Sequence, residues 1–222
     1  MNAMIGRALM PALLAAALGG CATSPPVHYY TLLTPDAGPH APVPAAGQPD
    51  GGKPPYLLDI LPVTVPPQAD QPQIMMREAD GVVAAYYSDR WTAPLADEIR
   101  GALSYNLVRD LGVLDVQSIN APANAPLWRV QVDVQRFDAT AGGEAVLDAT
   151  WRVRPVNLPG RTLLCRSLIH VPMEGATPAR AVSAQQKATV ALAGTIASGI
   201  QSAGASARAG SDAVQLKGCD GA

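Results

Sequence analysis

Residues 128–137 read Trp-Arg-Val-Gln-Val-Asp-Val-Gln-Arg-Phe, an alternation that puts Val130, Val132 and Val134 on one face and charged or amide side chains on the other. A period of two belongs to a strand with one buried face. Two further β-prone runs follow, at 145–154 with Val146 or Leu147 and Trp151, and at 161–171. Gly142-Gly143 and Pro159-Gly160 between them have hairpin-turn chemistry, so the stretch predicts an antiparallel meander.

On the N-terminal side, 57–65 is β-prone, and its Pro62 argues for an edge or a bulge. A hairpin is expected from 73–77 and 82–87, with Ala79, Asp80 and Gly81 as the turn. From Pro94 the period becomes helical: Leu95, Ile99, Leu103, Leu107 and Leu111 form one stripe, with Asp97, Glu98, Arg100 and Arg109 elsewhere. Thr92 suits the cap, Pro94 the first turn and Gly112 the stop. A second helix over 179–202 presents Val182, Thr189, Leu192, Ile196 and Ile200, and the Gly, Ser and Ala content after it predicts a loose tail ending near Cys219. This order of elements predicts an α+β fold, mainly an antiparallel sheet with two helices packed on one face. Only 5 % of residues are aromatic, one of them Phe, so the core must rest on Leu, Val, Ile and Ala.

The N-terminal residues carry a different message. Arg7, an apolar run over 8–18, and Gly19 and Gly20 have the layout of a secretory signal over 1–20, and the run is too short for the roughly 20 apolar residues of a membrane span. Leu18-Gly19-Gly20-Cys21 resembles the lipobox at which bacterial envelope lipoproteins are cleaved and acylated, which makes Cys21 the expected lipidation site. One acyl chain anchors only marginally. Lipoproteins of this type carry three, which implies a lasting anchor. Ala22, in place of the Asp that retains such proteins at the inner membrane, points to the periplasmic face of the outer membrane.

After Cys21, residues 21–33 are expected to hold the lipidated terminus and a first strand over 28–32. Residues 34–55, with seven prolines and four glycines, read as an exposed loop or a partner-recognising polyproline segment, and 56–222 as the remainder of a single domain. Acylation of Cys21 leaves Cys165 and Cys219 as an even pair, a disulfide candidate in an oxidising compartment, the alternative being two unpaired thiols.

The formal net charge is −2, and loss of residues 1–20 would remove Arg7 and no acid. No basic face suited to nucleic acid is visible. His28, His40 and His170 lie too far apart in the chain to resemble a metal site, and neither a nucleophile elbow nor a phosphate loop occurs. No catalytic residue, metal or cofactor is expected. Arg90 and Trp91, at the start of the first helix, are candidates for a partner interface, the alternative being a Trp that closes the core beside a solvated Arg. Asn106 is expected to be solvated or locally hydrogen-bonded.

Cys21 to Leu32 (Cys-Ala-Thr-Ser-Pro-Pro-Val-His-Tyr-Tyr-Thr-Leu) resembles the start of mature PqiC/YmbA-type lipoproteins, auxiliary components of ABC-type transporters. Residues 60–66 and 70–77 (Asp-Gln-Pro-Gln-Ile-Met-Met-Arg), Arg90-Trp91 with Pro94-Leu95, Asn106-Leu107 and 134–138 (Val-Gln-Arg-Phe-Asp) resemble further motifs of that family. Gln71 stands where the family has Arg, and the loop at 34–55 is longer than its usual form. The resemblance implies a non-catalytic subunit that docks a periplasmic tunnel of MCE domains, and through it an integral inner-membrane protein, to the outer membrane for lipid transport and envelope integrity. A ring of copies is a further implication. A lipid-binding carrier or sensor, and less so a lipid hydrolase, are the alternatives.

Overall fold

Val134 and Phe137 are three residues apart, a spacing that a regular strand sends to opposite faces. The computed structural model, which describes residues 25–34, 55–78, 81–116 and 121–221, resolves this with a bulge. Val134 pairs with Ala149 and Arg136 with Asp148, so Gln135 is the extra residue and both Val134 and Phe137 reach the core.

The elements are β1 (His28–Tyr30), β2 (Leu57–Ile60), β3 (Gln73–Arg77), β4 (Val83–Trp91), α1 (Leu95–Leu111), β5 (Leu127–Ala139), β6 (Glu144–Val156), β7 (Leu163–Pro172), α2 (Pro178–Gln201) and β8 (Val214–Gly221). They form a five-stranded sheet in the order β2-β5-β6-β7-β8 and a three-stranded sheet in the order β1-β4-β3. Pairing is antiparallel except for β1 with β4 and β2 with β5. The fold is α+β. The β3 strand reaches the larger sheet at one point, where Arg77 bridges to Thr140 and its carbonyl accepts from the Ala141 N–H at 2.9 Å.

One face of the larger sheet carries the apolar set. Val132, Trp151 and Cys165 are cross-strand neighbours there, all buried, and α2 lies over them. The small residues of α2 allow that close approach: a Cβ on Gly199 would stand 3.3 Å from both the Trp151 ring and Leu163. Trp151 Nε1 donates to Ser167 Oγ at 2.9 Å, which satisfies the indole within the core. The leucine stripe of α1 is buried against α2 and β2. Thr177 caps α2, and Gly112 ends α1 in the left-handed region at φ 64.

Two sequence expectations need correction. The expected loose tail contains β8, because β7 offers its edge to that segment and Cys219 lies opposite Cys165. Thr92 does not cap α1. Pro94 is the N-cap without a side-chain bond, and Thr92 Oγ1 donates to Glu98 instead. Off the leucine stripe, Glu98 and Arg100 are also buried, and each has a partner there. Arg100 donates to the Ile60 carbonyl at 2.6 and 3.0 Å and lies 3.5 Å from Asp115, tying α1 to the β2 exit. Gly204, at φ +78, holds the turn after α2 so close to the chain that a Cβ would stand 1.9 Å from the Arg161 carbonyl.

Candidate functional site

The residues that follow the expected lipidation site enter the fold through a polar clip. β1 pairs in parallel with the end of β4, Tyr29 beside Arg90 and Tyr30 beside Trp91, and the Thr92 N–H extends the ladder to the Tyr30 carbonyl at 2.9 Å. The next residue but one, Leu32, is 1 % exposed and belongs to the core. Its amide would be stranded there without a partner. Glu98 supplies it: Oε2 accepts from Leu32 N–H at 2.9 Å and from Thr31 Oγ1 at 2.8 Å, while Oε1 accepts from Thr92 Oγ1. From the other helix, Gln186 Nε2 donates to the Thr31 carbonyl at 2.9 Å and the Leu33 carbonyl at 3.2 Å. Residues 28–33 are thus held by one strand and both helices.

Tyr30 completes the clip. Its hydroxyl donates to Asp89 Oδ1 at 2.8 Å, and burial together with that carboxylate raises its pKa above the usual tyrosine value. Neither Glu98 nor Gln186 is evident from the sequence as part of an anchor site. The available signal was the row Glu98, Ala102, Asn106, which at i, i+4 spacing runs beside the leucine stripe and is buried throughout.

Replacing Glu98 by Ala should lower stability by about 3 kcal/mol, since bonds to a charged acceptor are lost and the buried Leu32 N–H is left unpaired. Urea unfolding reads the stability, and hydrogen exchange at the Leu32 amide reads the clip. Glu98→Gln, which keeps an acceptor, should cost less. A Glu98→Ala protein as stable as the parent, with Leu32 still protected, would contradict the role given to this carboxylate.

Trp91 is 6 % exposed and packs against Phe137 with ring centroids 6.4 Å apart, so it closes the core at the end of β4. Arg90 is half-buried, and its Nε donates to the Tyr87 carbonyl at 3.1 Å. Asn106 is buried and bonds locally, Nδ2 donating to the Ala102 carbonyl at 2.7 Å. Cys165 and Cys219 face each other across β7 and β8 with Cα atoms 4.2 Å apart and their sulfurs joined. Cys21, His40 and the segment expected as a proline loop lie outside the described residues, apart from Thr34 and Pro55 at its ends.

An open cleft of about 360 Å³ lies between the two sheets, with Met75, Val83, Trp91, Leu95 and Phe137 as its apolar lining. At its rim, Arg77 and Arg136 both bond Asp138, at 2.6 and 2.9 Å, and the carboxylate raises the Arg136 pKa. Gln185 also lines it. Such a lining suits apolar contact. His170 Nδ1 meets Glu144 Oε1 at 2.8 Å at the edge of the open sheet face, and His28 lies 3.6 Å from Asp89. Among the described residues, no group of three His, Cys, Asp or Glu is placed to hold a metal ion.

Among the described residues, no helix lies over the opposite face of the larger sheet. Along it run Arg129 with Asp59 at 2.6 Å, Arg152 with Gln131 at 2.7 Å, and a two-bond pair of Arg166 with Asp148 at 2.8 and 2.6 Å. The result is a mosaic of both charges. It resembles the polar surface of a non-obligate interface more than a nucleic-acid face.

A two-layer α+β domain whose N-terminal strand is clipped to its helices, with a charged open sheet face, is the class of protein that these features define. The chain belongs to the family of ABC-type transport auxiliary lipoprotein components, whose profile matches residues 39–197. Among solved structures, one described as an uncharacterized protein is similar with a TM-score of 0.59 and 16 % identity, covering 79 % of this chain and 99 % of that one. Protein XCC0632 from Xanthomonas campestris, of family DUF330, is similar at 15 % identity and a TM-score of 0.47, covering 64 % of this chain and 81 % of that one. No curated protein matches this chain. As a member of a lipoprotein family the chain is expected at a membrane, and no helix among the described residues is long and apolar enough to cross one.

Proposed function

We propose that this chain is a non-catalytic docking lipoprotein, acylated at Cys21 and held at the periplasmic face of the outer membrane. It joins that membrane to a periplasmic tunnel of MCE domains and, through the tunnel, to an integral inner-membrane protein of an ABC-type lipid transport system that maintains envelope integrity. The observation that carries this reading is the clip: residues 28–33, which begin seven residues beyond the expected anchor, are bonded to β4, Glu98 and Gln186, so the chain that comes from the anchor is fixed to the core as soon as it enters the fold. Membership of a transport auxiliary family supports the partner class. The open sheet face, with Arg129, Arg152 and Arg154, is the surface assigned to the tunnel, and a closed ring of copies would present it repeatedly.

Full-length acylated protein, extracted in mild detergent, should co-purify with an MCE-domain protein of the same envelope. Reversing charge at Arg152 and Arg154 should weaken the association and reduce its salt dependence while leaving the fold unchanged by circular dichroism. Absence of the MCE-domain protein from the purified material, together with lipid hydrolysis by the same sample, would replace docking with the hydrolase alternative. The cleft where the two sheets meet favours a second reading, a carrier that holds an acyl chain. Native mass spectrometry of protein taken from membranes separates the two, since a carrier retains a lipid beyond those bonded to Cys21.

A further inference from the structure

Among the described residues, the large apolar side chains left in water are unevenly placed. Of the eight exposed ones, five (Val27, Tyr29, Val82, Val83 and Tyr87) belong to the three-stranded sheet or the residues beside its strands, with Tyr29 65 % and Tyr87 71 % exposed; the others are Leu33, Leu114 and Leu164. Register puts the paired ones on one face. Tyr29 neighbours Arg90, Arg90 neighbours Gln73, Met75 neighbours Ala85, and Arg77 neighbours Val83, while Ile74 and Met76, with Tyr86 and Ala84, take the opposite, buried face. Tyr87 follows the inward Tyr86 and so turns outward with the first group. Two tyrosines flanking an arginine are side chains with an apolar body and a polar tip, the type that settles at the level of lipid headgroups.

Chain length selects lipid as the occupant. From Cys21 to His28 is seven residues, which span at most about 25 Å when fully extended. Pro25 and Pro26 stiffen that stretch. β1 cannot then stand farther than this from the surface that holds the acyl chains, and it is the first element of the fold after them in the chain.

We propose that the outer face of the three-stranded sheet, centred on Tyr29, Arg90 and Tyr87, rests on the membrane surface and fixes the tilt of the domain, leaving the open face of the larger sheet free for a partner. The assignment rests on acylation of Cys21. Val83 and Met75 continue the face into the cleft, so the apolar strip does not end at the sheet edge.

The test uses the full acylated chain reconstituted in vesicles of phosphatidylethanolamine and phosphatidylglycerol. An environment-sensitive fluorophore is attached through Tyr87→Cys, through Val83→Cys as a second site on the same face, or through Ala205→Cys beyond α2, with the unsubstituted chain as labelling background. Flotation reads the anchor and nitroxide-lipid quenching reads the seating. The expected result is flotation of all three proteins, with blue-shifted emission and loss of most intensity to nitroxide lipid at 87 and 83 but not at 205. Flotation with 87 and 83 as solvent-exposed as 205 would overturn the seating and leave the anchor standing. Shielding from aqueous quencher without nitroxide quenching would mark a protein partner or second copy there and also overturn it. A chain that does not float removes the anchor and this assignment with it.

Discussion

Replacing Cys21 by Ser is expected to abolish outer-membrane retention: the protein should stay uncleaved after Gly20 or be released from the outer membrane. The effect should be near complete because the described residues offer no helix that could anchor the chain instead. Among the described residues no helix can span a bilayer, and the exposed tyrosines of the three-stranded sheet bury far less apolar surface than acyl chains worth about 0.8 kcal/mol per methylene. The clip between β1, Glu98 and Gln186 lies downstream of the substitution, so the released domain should unfold at the same urea concentration as the parent. Fractionation of cells with immunodetection measures the first part. A Cys21→Ser protein still processed and held in the outer membrane would show that something other than the lipid retains it.

Reduction of the Cys165–Cys219 bridge is the second large effect expected. The two residues are 54 apart in sequence, and in the chain-entropy account a loop of that size contributes about 4 kcal/mol. β8 is an edge strand with β7 as its neighbour in the sheet, and Gly218 sits in its middle at φ +65, so little besides that ladder and the bridge holds the C-terminal strand. Protein treated with reductant, or carrying Cys219→Ser at the exposed end of the pair, should unfold at a lower urea concentration and lose amide protection first in 214–221. Intact mass measured without reduction should fall short of the dithiol form by two hydrogens. Equal stability with and without reductant, with both thiols open to alkylation in protein never exposed to it, would remove the bridge from the account.

What the sequence disclosed about the fold was the part governed by local periodicity. The valine alternation at 130–134 and the leucine stripe of the first helix both lead to the buried faces observed. The three-residue step from Val134 to Phe137 even carries the signal of the bulge, because both side chains are apolar and the strand continues. β8 stayed hidden because its state is set from outside: a segment with Gly218 and few apolar residues becomes a strand when β7 offers an unpaired edge. The parallel pairings of β1 with β4 and β2 with β5 join residues about 60 to 70 positions apart, and no local pattern chooses such partners.

The clip was illegible for a related reason. A glutamate in the first turn of a helix ordinarily reads as a solvated charge that complements the helix dipole. Glu98 is buried because Leu32, a residue that the leucine stripe gives no cause to expect nearby, brings an unpaired amide to it. Trp91 shows the reverse. Its composition suited an interface, and packing against Phe137 turned it inward, leaving Arg90 and the two tyrosines on the exposed side of the same small sheet.

Docking of a transporter component is the central claim, and site-specific photo-crosslinking in intact cells tests it most directly. A photoreactive residue replaces Arg152 or Arg154 on the open sheet face of the full-length acylated protein, with Ala205 as the comparison position. Residues 152 and 154 are expected to crosslink to an MCE-domain protein, and the crosslink should be lost when Cys21→Ser releases the chain from the outer membrane. Crosslinks to that protein from none of the three positions, in cells where both proteins are present at the envelope, would contradict it.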